Sequence, residues 1–271
     1  MSIVADIFGA RRALIGMIHM QPSPGTPRAS GSIDAIVDDA VREARVYRDA
    51  GFAGILMENM HDRPYEKCRV GPEVVAAMTA AGRAVRAAVA LPLGIQVLAG
   101  ANREALAVAL ACGAAFVRVE GFVFAHVADE GLIESGASEL LRYRRHIGAE
   151  HVHVFADIKK KHAAHALTAD VSLAETARAA EFFLADGVIV SGLATGEATD
   201  PADVAAVRRA VGLPVLVGSG VSVDNVADYA EADALVVGSS LKRDGLWSNP
   251  VDPDRASALA QAFRSVPCTG H

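Results

Sequence analysis

Short apolar runs alternate with longer, Ala-rich amphipathic stretches along the whole chain. The apolar runs lie at residues 13–20, 54–60, 93–100, 115–122, 152–159, 187–191, 214–218 and 234–238, and each reads as a strand. Helical spacing occupies 33–50, 72–90, 103–112, 138–147, 173–185, 202–210, 224–230 and 254–264. Several of these stretches open on start signals: Ser32 before Ile33, Asp200-Pro201 before Ala202, and Pro253 at the head of the last one. Gly51, Gly113 and Gly148 stand where earlier helices should close. Eight strand–helix units predict a single (β/α)8 TIM barrel filling residues 1–271. An open doubly wound sheet needs the same alternation, but no GxGxxG opens a helix after the first strand.

Strand parity then locates the chemistry. Alternate residues of a barrel strand face the helices and the lumen. Ile18, Ile55, Met57, Ile95, Val97, Val117, Val119 and Ile158 take the helix-facing positions. That leaves His19, Glu58, Gln96, Glu120, Asp157 and Lys159 converging on one mouth, with Arg118 a layer deeper. Unpaired charges are costly to bury, so such a set points to a functional cavity. The structural alternative is an ion network plugging the barrel, Arg118 with Glu120 or Asp157.

Composition narrows the class. The chain is 52% hydrophobic without low-complexity tracts, which argues against disorder. Lys plus Arg is 26 against 32 Asp plus Glu, a net charge of −6, which is a poor match for nucleic acid or an anionic membrane. Cys68, Cys112 and Cys268 form no CxxC pair and predict no disulfide framework. No run is long enough to span a bilayer and no leader is recognisable, so a soluble cytoplasmic protein without membrane insertion is expected. Ala-rich helices pack barrels and subunit contacts equally well, so a homo-oligomer is compatible with the pattern.

Two turns carry the strongest motif. Gly218-Ser219-Gly220 follows the seventh strand and Gly238-Ser239-Ser240 the eighth. Loops after those strands commonly bind phosphate in such barrels, because glycines admit an anion to backbone N–H groups and serines add hydroxyls. Asp157-Ile158-Lys159 places a carboxylate and an ammonium on one strand face, and Lys159 is preferred over Lys160, which has the wrong parity. His162 and His165 lack a carboxylate partner at ligand spacing, so neither a metal nor another cofactor is predicted. His19 enters a stiff Pro22–Pro27 loop holding three prolines, and Glu58-Asn59 ends the second strand.

Gly16-Met17-Ile18-His19-Met20, running into Pro22-Ser23-Pro24-Gly25-Thr26-Pro27-Arg28, resembles the opening of the BtpA family. The resemblance continues through Glu58-Asn59, Val70-Gly71-Pro72-Glu73, Phe155-Ala156-Asp157-Ile158-Lys159 and Lys161-His162. It also takes in Ser191-Gly192, Ala194-Thr195-Gly196, Val217-Gly218-Ser219-Gly220-Val221, Gly238-Ser239-Ser240-Leu241-Lys242 and Asn249-Pro250-Val251-Asp252. That resemblance implies a barrel of the ribulose-phosphate-binding type, in a family named for photosystem I biogenesis. Gln96-Val97-Leu98-Ala99-Gly100 and Glu120 stand where many members carry asparagines, which marks a second subgroup.

The expected function is an enzyme of acid–base lyase or isomerase type on a small sugar-phosphate or nucleotide-like substrate. His19, Glu58, Asp157 and Lys159 are the expected catalytic residues. Asn59, Gln96, Arg118, Glu120 and Ser191 are expected to bind substrate, and the glycine–serine turns the phosphate. The rivals are a non-catalytic assembly factor for a membrane complex, which requires an exposed apolar patch, and a metal-dependent hydrolase.

Overall fold

The computed structural model describes residues 2–160, 162–192 and 197–267; Lys161, Ala194-Thr195-Gly196 and Cys268 lie outside the described residues. A short helix α1 (Ile3–Phe8) precedes β1 (Ala13–His19), α2 (Ile33–Ala50), β2 (Gly54–Glu58), α3 (Pro72–Ala88), β3 (Leu93–Gln96), α4 (Asn102–Cys112) and β4 (Phe116–Val119). A hairpin of β5 (His126–Ala128) and β6 (Gly131–Ile133) leads into α5 (Ala137–His146). Then come β7 (His153–Ile158), β8 (Ala163–Ala164), α6 (Leu173–Phe182), β9 (Gly187–Val190) and α7 (Pro201–Ala210). β10 (Val215–Val217), β11 (Ala234–Val237) and α8 (Pro253–Ser265) complete the chain.

Strands β1, β2, β3, β4, β7, β9, β10 and β11 form a closed parallel barrel in that order. The protein is therefore a (β/α)8 barrel, as the alternation predicts. The start signals act as capping chemistry requires. Ser32 accepts from the Ala35 amide, Asp200 from Ala202, and Asp252 from Asp254 and Arg255. Ser172 and Glu175 add a reciprocal capping box on α6.

Two layers of apolar packing follow from strand parity. Ile18, Ile55, Met57, Ile95, Val97, Val117, Val119 and Ile158 sit in the layer between barrel and helices. Ile15, Met17, Leu56, Phe116, Phe155, Ile189, Leu216 and Val236 fill the lumen instead. Phe116 and Phe155 lie 5.4 Å apart at its centre. The fully buried Val4 of α1 joins this inner cluster, with Ile3, Ile7 and Phe8 packed against it.

Three departures from the sequence reading affect the site. The expected helix 224–230 is only a 3-10 turn, Val226–Tyr229, so the seventh unit lacks an α-helix. Six residues are enough for α1 because the lumen buries its apolar face, a tertiary effect that local periodicity does not register. The β5–β6 hairpin pairs with β8 in a three-stranded antiparallel sheet between the loops after β4 and β7. Its strands are two or three residues long, too short to show an alternating pattern.

Candidate active site

At the C-terminal ends of the barrel strands lies a cavity of about 740 Å³. His19 pairs in register with Glu58, and Glu58 with Gln96, so these three side chains form one row. All three line the cavity, as do Arg118, Glu120, Asp157 and both glycine–serine turns. Strand parity brings His19, Glu58, Gln96, Arg118 and Asp157 together, and the chain beyond the strand ends adds Glu120 and the turns.

Lys159 does not join them. Its backbone takes φ +48°, a left-handed bend that breaks the strand alternation one residue after β7 ends. Its ammonium is directed to the Thr168 carbonyl at 3.3 Å, and Lys160 enters the cavity in its place. The expectation for Lys159 is thus overturned by a turn that strand parity does not anticipate. Lys160 Nζ lies 3.2 Å from Glu120 Oε2, and both residues are buried. Burial raises the Glu120 carboxyl above its ordinary range, and the Lys160 charge works against that rise.

Asn59 also departs from expectation. It is 1% exposed and joins neighbouring loops: its Oδ1 accepts from the Leu98 amide at 2.7 Å and its Nδ2 donates to Asp62 at 3.0 Å. Asp62 in turn accepts from the Ser23 amide at 2.7 Å. Asn59 holds the rim together and lies outside the cavity lining. Its amide is consumed by the Asp62 carboxylate and by the Leu98 N–H, which the turn after β3 would otherwise leave unpaired.

The charged floor is a bidentate pair. Arg118 Nε donates to Asp157 Oδ2 at 2.8 Å and Nη2 to Oδ1 at 3.0 Å, with the side chains 4% and 1% exposed. Burial opposes the Arg118 charge, but the adjoining Asp157 carboxylate more than offsets it and holds the guanidinium protonated. Ser191 rests on this pair, its Oγ 3.3 Å from Asp157 Oδ1 and 3.4 Å from Arg118 Nη2, without lining the cavity itself. The ion network weighed as an alternative is therefore present, with Asp157 as Arg118's partner.

His19 Nδ1 lies 2.8 Å from the Trp247 carbonyl, which can only accept, so that nitrogen carries a proton. Nε2 faces Glu58 Oε1 at 3.5 Å. This contact aligns an imidazole and a carboxylate for proton exchange.

The two turns are tied to one another. Ser240 Oγ donates to the Val221 carbonyl at 2.6 Å, and Ser219 Oγ to the Glu197 carbonyl at 3.1 Å. In this arrangement protein carbonyls hold both of these hydroxyls. The amides of Gly220, Val221 and Ser240 donate to no group among the described residues, and all three residues line the cavity. Gly220 has φ +68°, and a Cβ there would meet the Glu197 carbonyl oxygen at 2.1 Å. Arg255, near the start of α8, donates to the Ser240 carbonyl at 3.3 Å and lines the same end of the cavity.

Sequence reasoning missed Lys160 as a cavity residue, and also Arg63, Tyr65, Trp247, Arg255 and the hairpin tip Asp129-Glu130. Most of them come from loops, where no period marks a facing. Among the described residues no three His, Cys, Asp or Glu side chains are gathered at metal-binding spacing.

Fold and site together define a (β/α)8 barrel with a charged cavity at the strand C-termini, flanked by glycine–serine turns after the last two strands. The BtpA family profile matches residues 10–265, and the chain belongs to that family. It is 39% identical to the photosystem I biogenesis protein BtpA of Synechocystis over 94% of this chain and 89% of that one. It is 45% identical to a Caenorhabditis elegans protein named as mitochondrial, over 97% and 98% of the two chains. No helix among the described residues is long and apolar enough to cross a membrane. Among solved structures, the barrel is similar to phosphoribosyl anthranilate isomerase from Thermus thermophilus, with TM-score 0.59 and 14% identity, covering 94% of this chain and all of that one. It is also similar to 3-hexulose-6-phosphate synthase from Salmonella typhimurium, with TM-score 0.57 and 16% identity at the same coverage. These two likenesses establish a shared fold.

Proposed function

We propose that the protein is an enzyme acting on a small phosphorylated substrate by acid–base chemistry of the lyase or isomerase type. One observation carries this reading. The undonated amides of Gly220, Val221 and Ser240 open on the same cavity as Glu58, Glu120, Lys160 and His19. Backbone amides with a nearby guanidinium, Arg255, suit a phosphate group, and both solved neighbours carry names of phosphorylated compounds. A phosphate anchored at the turns would extend the rest of the substrate across the mouth toward β2, β3 and β4.

In this reading Glu58, with His19, takes and returns a proton at carbon or oxygen. Lys160 and Arg118 stabilise the negative charge that develops on the substrate oxygen. Asp157 orients Arg118 rather than exchanging protons, since its two oxygens are engaged by the guanidinium fork. Glu120, raised by burial, is the second proton-transfer group.

The test is direct binding of phosphate monoesters and their unphosphorylated counterparts by calorimetry, in the wild type and in Gly238→Val. A Cβ at Gly238 would come 3.1 Å from His19 Nε2 and 3.4 Å from Met17 Cβ, so a bulkier side chain fills the cavity between this turn and His19 from a residue with negative φ. Gly220 is unsuitable because any side chain there collides with backbone. Esters should bind the wild type and not the variant, at unchanged circular dichroism. Equal affinity for esters and unphosphorylated compounds would refute the reading.

One observation favours the rival class. Phe182, Phe183 and Leu184 are 82%, 43% and 71% exposed, an apolar patch at the end of α6. Such a patch suits a protein partner, and it lies on the chain independently of the cavity. Loss of co-purifying proteins in Phe182→Ser with ester binding intact would show two separate surfaces.

A further inference from the structure

The cavity wall opposite the phosphate turns differs in chemistry from the turns themselves. In the barrel order, β3 and β4 lie across from β10 and β11, and they carry Gln96 and the Glu120 approach. On this side several donors are already engaged within the protein, although Lys160 keeps N–H bonds for a substrate oxygen. Arg118 forks onto Asp157, and the Tyr65 hydroxyl donates to the Met60 carbonyl at 2.8 Å. The acceptors are not. Gln96 is 2% exposed, lines the cavity, and its Oε1 is buried without a partner. Glu130 Oε2, at the hairpin tip, is likewise buried and unpartnered, and Lys160 occupies only one oxygen of Glu120. A buried acceptor without a donor costs free energy unless something supplies the hydrogen bond.

The indole that lines the cavity beside the turns is also poorly placed for stacking. Trp247 is the chain's single tryptophan. Its ring is covered by the Arg63 guanidinium at 4.4 Å and packed by His61 at 4.9 Å. A planar heterocycle would have to displace the chain's own groups to reach that ring.

Building on the phosphate reading above, we propose that the far end of the substrate is a cluster of hydrogen-bond donors, hydroxyl or amino groups, read by Gln96, and not a stacked base. Gln96 is then a specificity-determining residue. The carboxylates of Glu120 and Glu130 around it accept from the same donors, which suits a polyhydroxylated or amino-substituted chain.

The experiment compares inorganic phosphate, n-pentyl phosphate, ribose 5-phosphate, glucosamine 6-phosphate, uridine 5′-monophosphate and free ribose by calorimetry. At least one of the two sugar phosphates should bind tenfold or more tighter than pentyl phosphate, which has the ester without the donors. That margin should collapse to within twofold in Gln96→Leu, whose affinity for inorganic phosphate stays at the wild-type level. Replacing an unpartnered buried amide by an apolar side chain of similar size is compatible with folding. Glu130→Gln, at the half-buried hairpin tip, provides a second variant that should narrow the same margin. Pentyl phosphate matching both sugar phosphates would overturn the proposal, as would an undiminished margin in Gln96→Leu. So would tenfold tighter binding of the uridine nucleotide. Free ribose binding as well as its phosphate, or no ester binding at all, would instead bring down the phosphate reading on which this one rests.

Discussion

Replacing Asp157 by leucine should destabilise the protein severely, and replacing Arg118 as well should restore most of the loss. The pair is bidentate at 2.8 and 3.0 Å with at most 4% of either side chain exposed, so solvent cannot compensate a missing partner. Breaking a buried pair from one side leaves an unneutralised charge and costs about 3–5 kcal/mol. For a chain of this size each kcal/mol moves the melting midpoint by roughly 2–4 °C, so the single variant should melt roughly 6–20 °C lower. Arg118→Met combined with Asp157→Leu sets apolar side chains against Phe155 and Ile189, with the Ser191 hydroxyl as the polar neighbour, and such replacements are often neutral or stabilising. Urea unfolding followed by circular dichroism at pH 7 gives both free energies and their coupling. A loss under about 1 kcal/mol in Asp157→Leu, or a double variant no better than the single, would refute the claim that the pair is desolvated and mutually dependent.

Lys160→Met should abolish turnover once a substrate is in hand, whereas Lys159→Met should keep it, because only Lys160 reaches the cavity; the reverse result in a steady-state assay would return the chemistry to Lys159. Burial, then the charges of Lys160 and His165, pushes His126 from 6.5 down to about 4, against a smaller opposing pull from Asp157. Folding stability from this group is fully present above pH 6.5 and is lost as pH falls toward 4, because there the unfolded chain binds a proton that the folded one refuses. The loss amounts to about 3 kcal/mol by the size of that shift. His126→Leu should flatten that part of the stability–pH curve, to which His61, lowered by burial and Lys242, also contributes in the same sense; an unchanged slope in urea titrations would remove the assignment.

Much of the barrel and its floor could be read from the chain because one physical rule, side-chain alternation in buried strands, fixes both. Ile158 among the helices and Asp157 in the lumen follow from the same parity. The rule stops where the strand stops. One residue beyond β7, Lys159 bends left-handed and the lysine that reaches Glu120 is the next one. Asn59 shows a related limit: a polar residue at a strand end serves a ligand or an unpaired backbone group equally well, and only the neighbouring Leu98 amide decides. Trp247, Arg63 and Glu130 enter from loops that carry no period, so their place in the cavity depends on tertiary contacts alone.

The six-residue helix α1 has a bearing on traffic through the molecule. Phe8 lies against the start of β2, so close that a Cβ on Gly54 would meet its ring at 2.5 Å, and Val4 is fully buried against the lumen residues. The barrel is thereby stoppered at one end and behaves as a blind vessel. Whatever enters must leave by the same opening, in reverse order of depth. If the reaction splits its substrate, the fragment nearest Arg118 departs last and the one at the rim first.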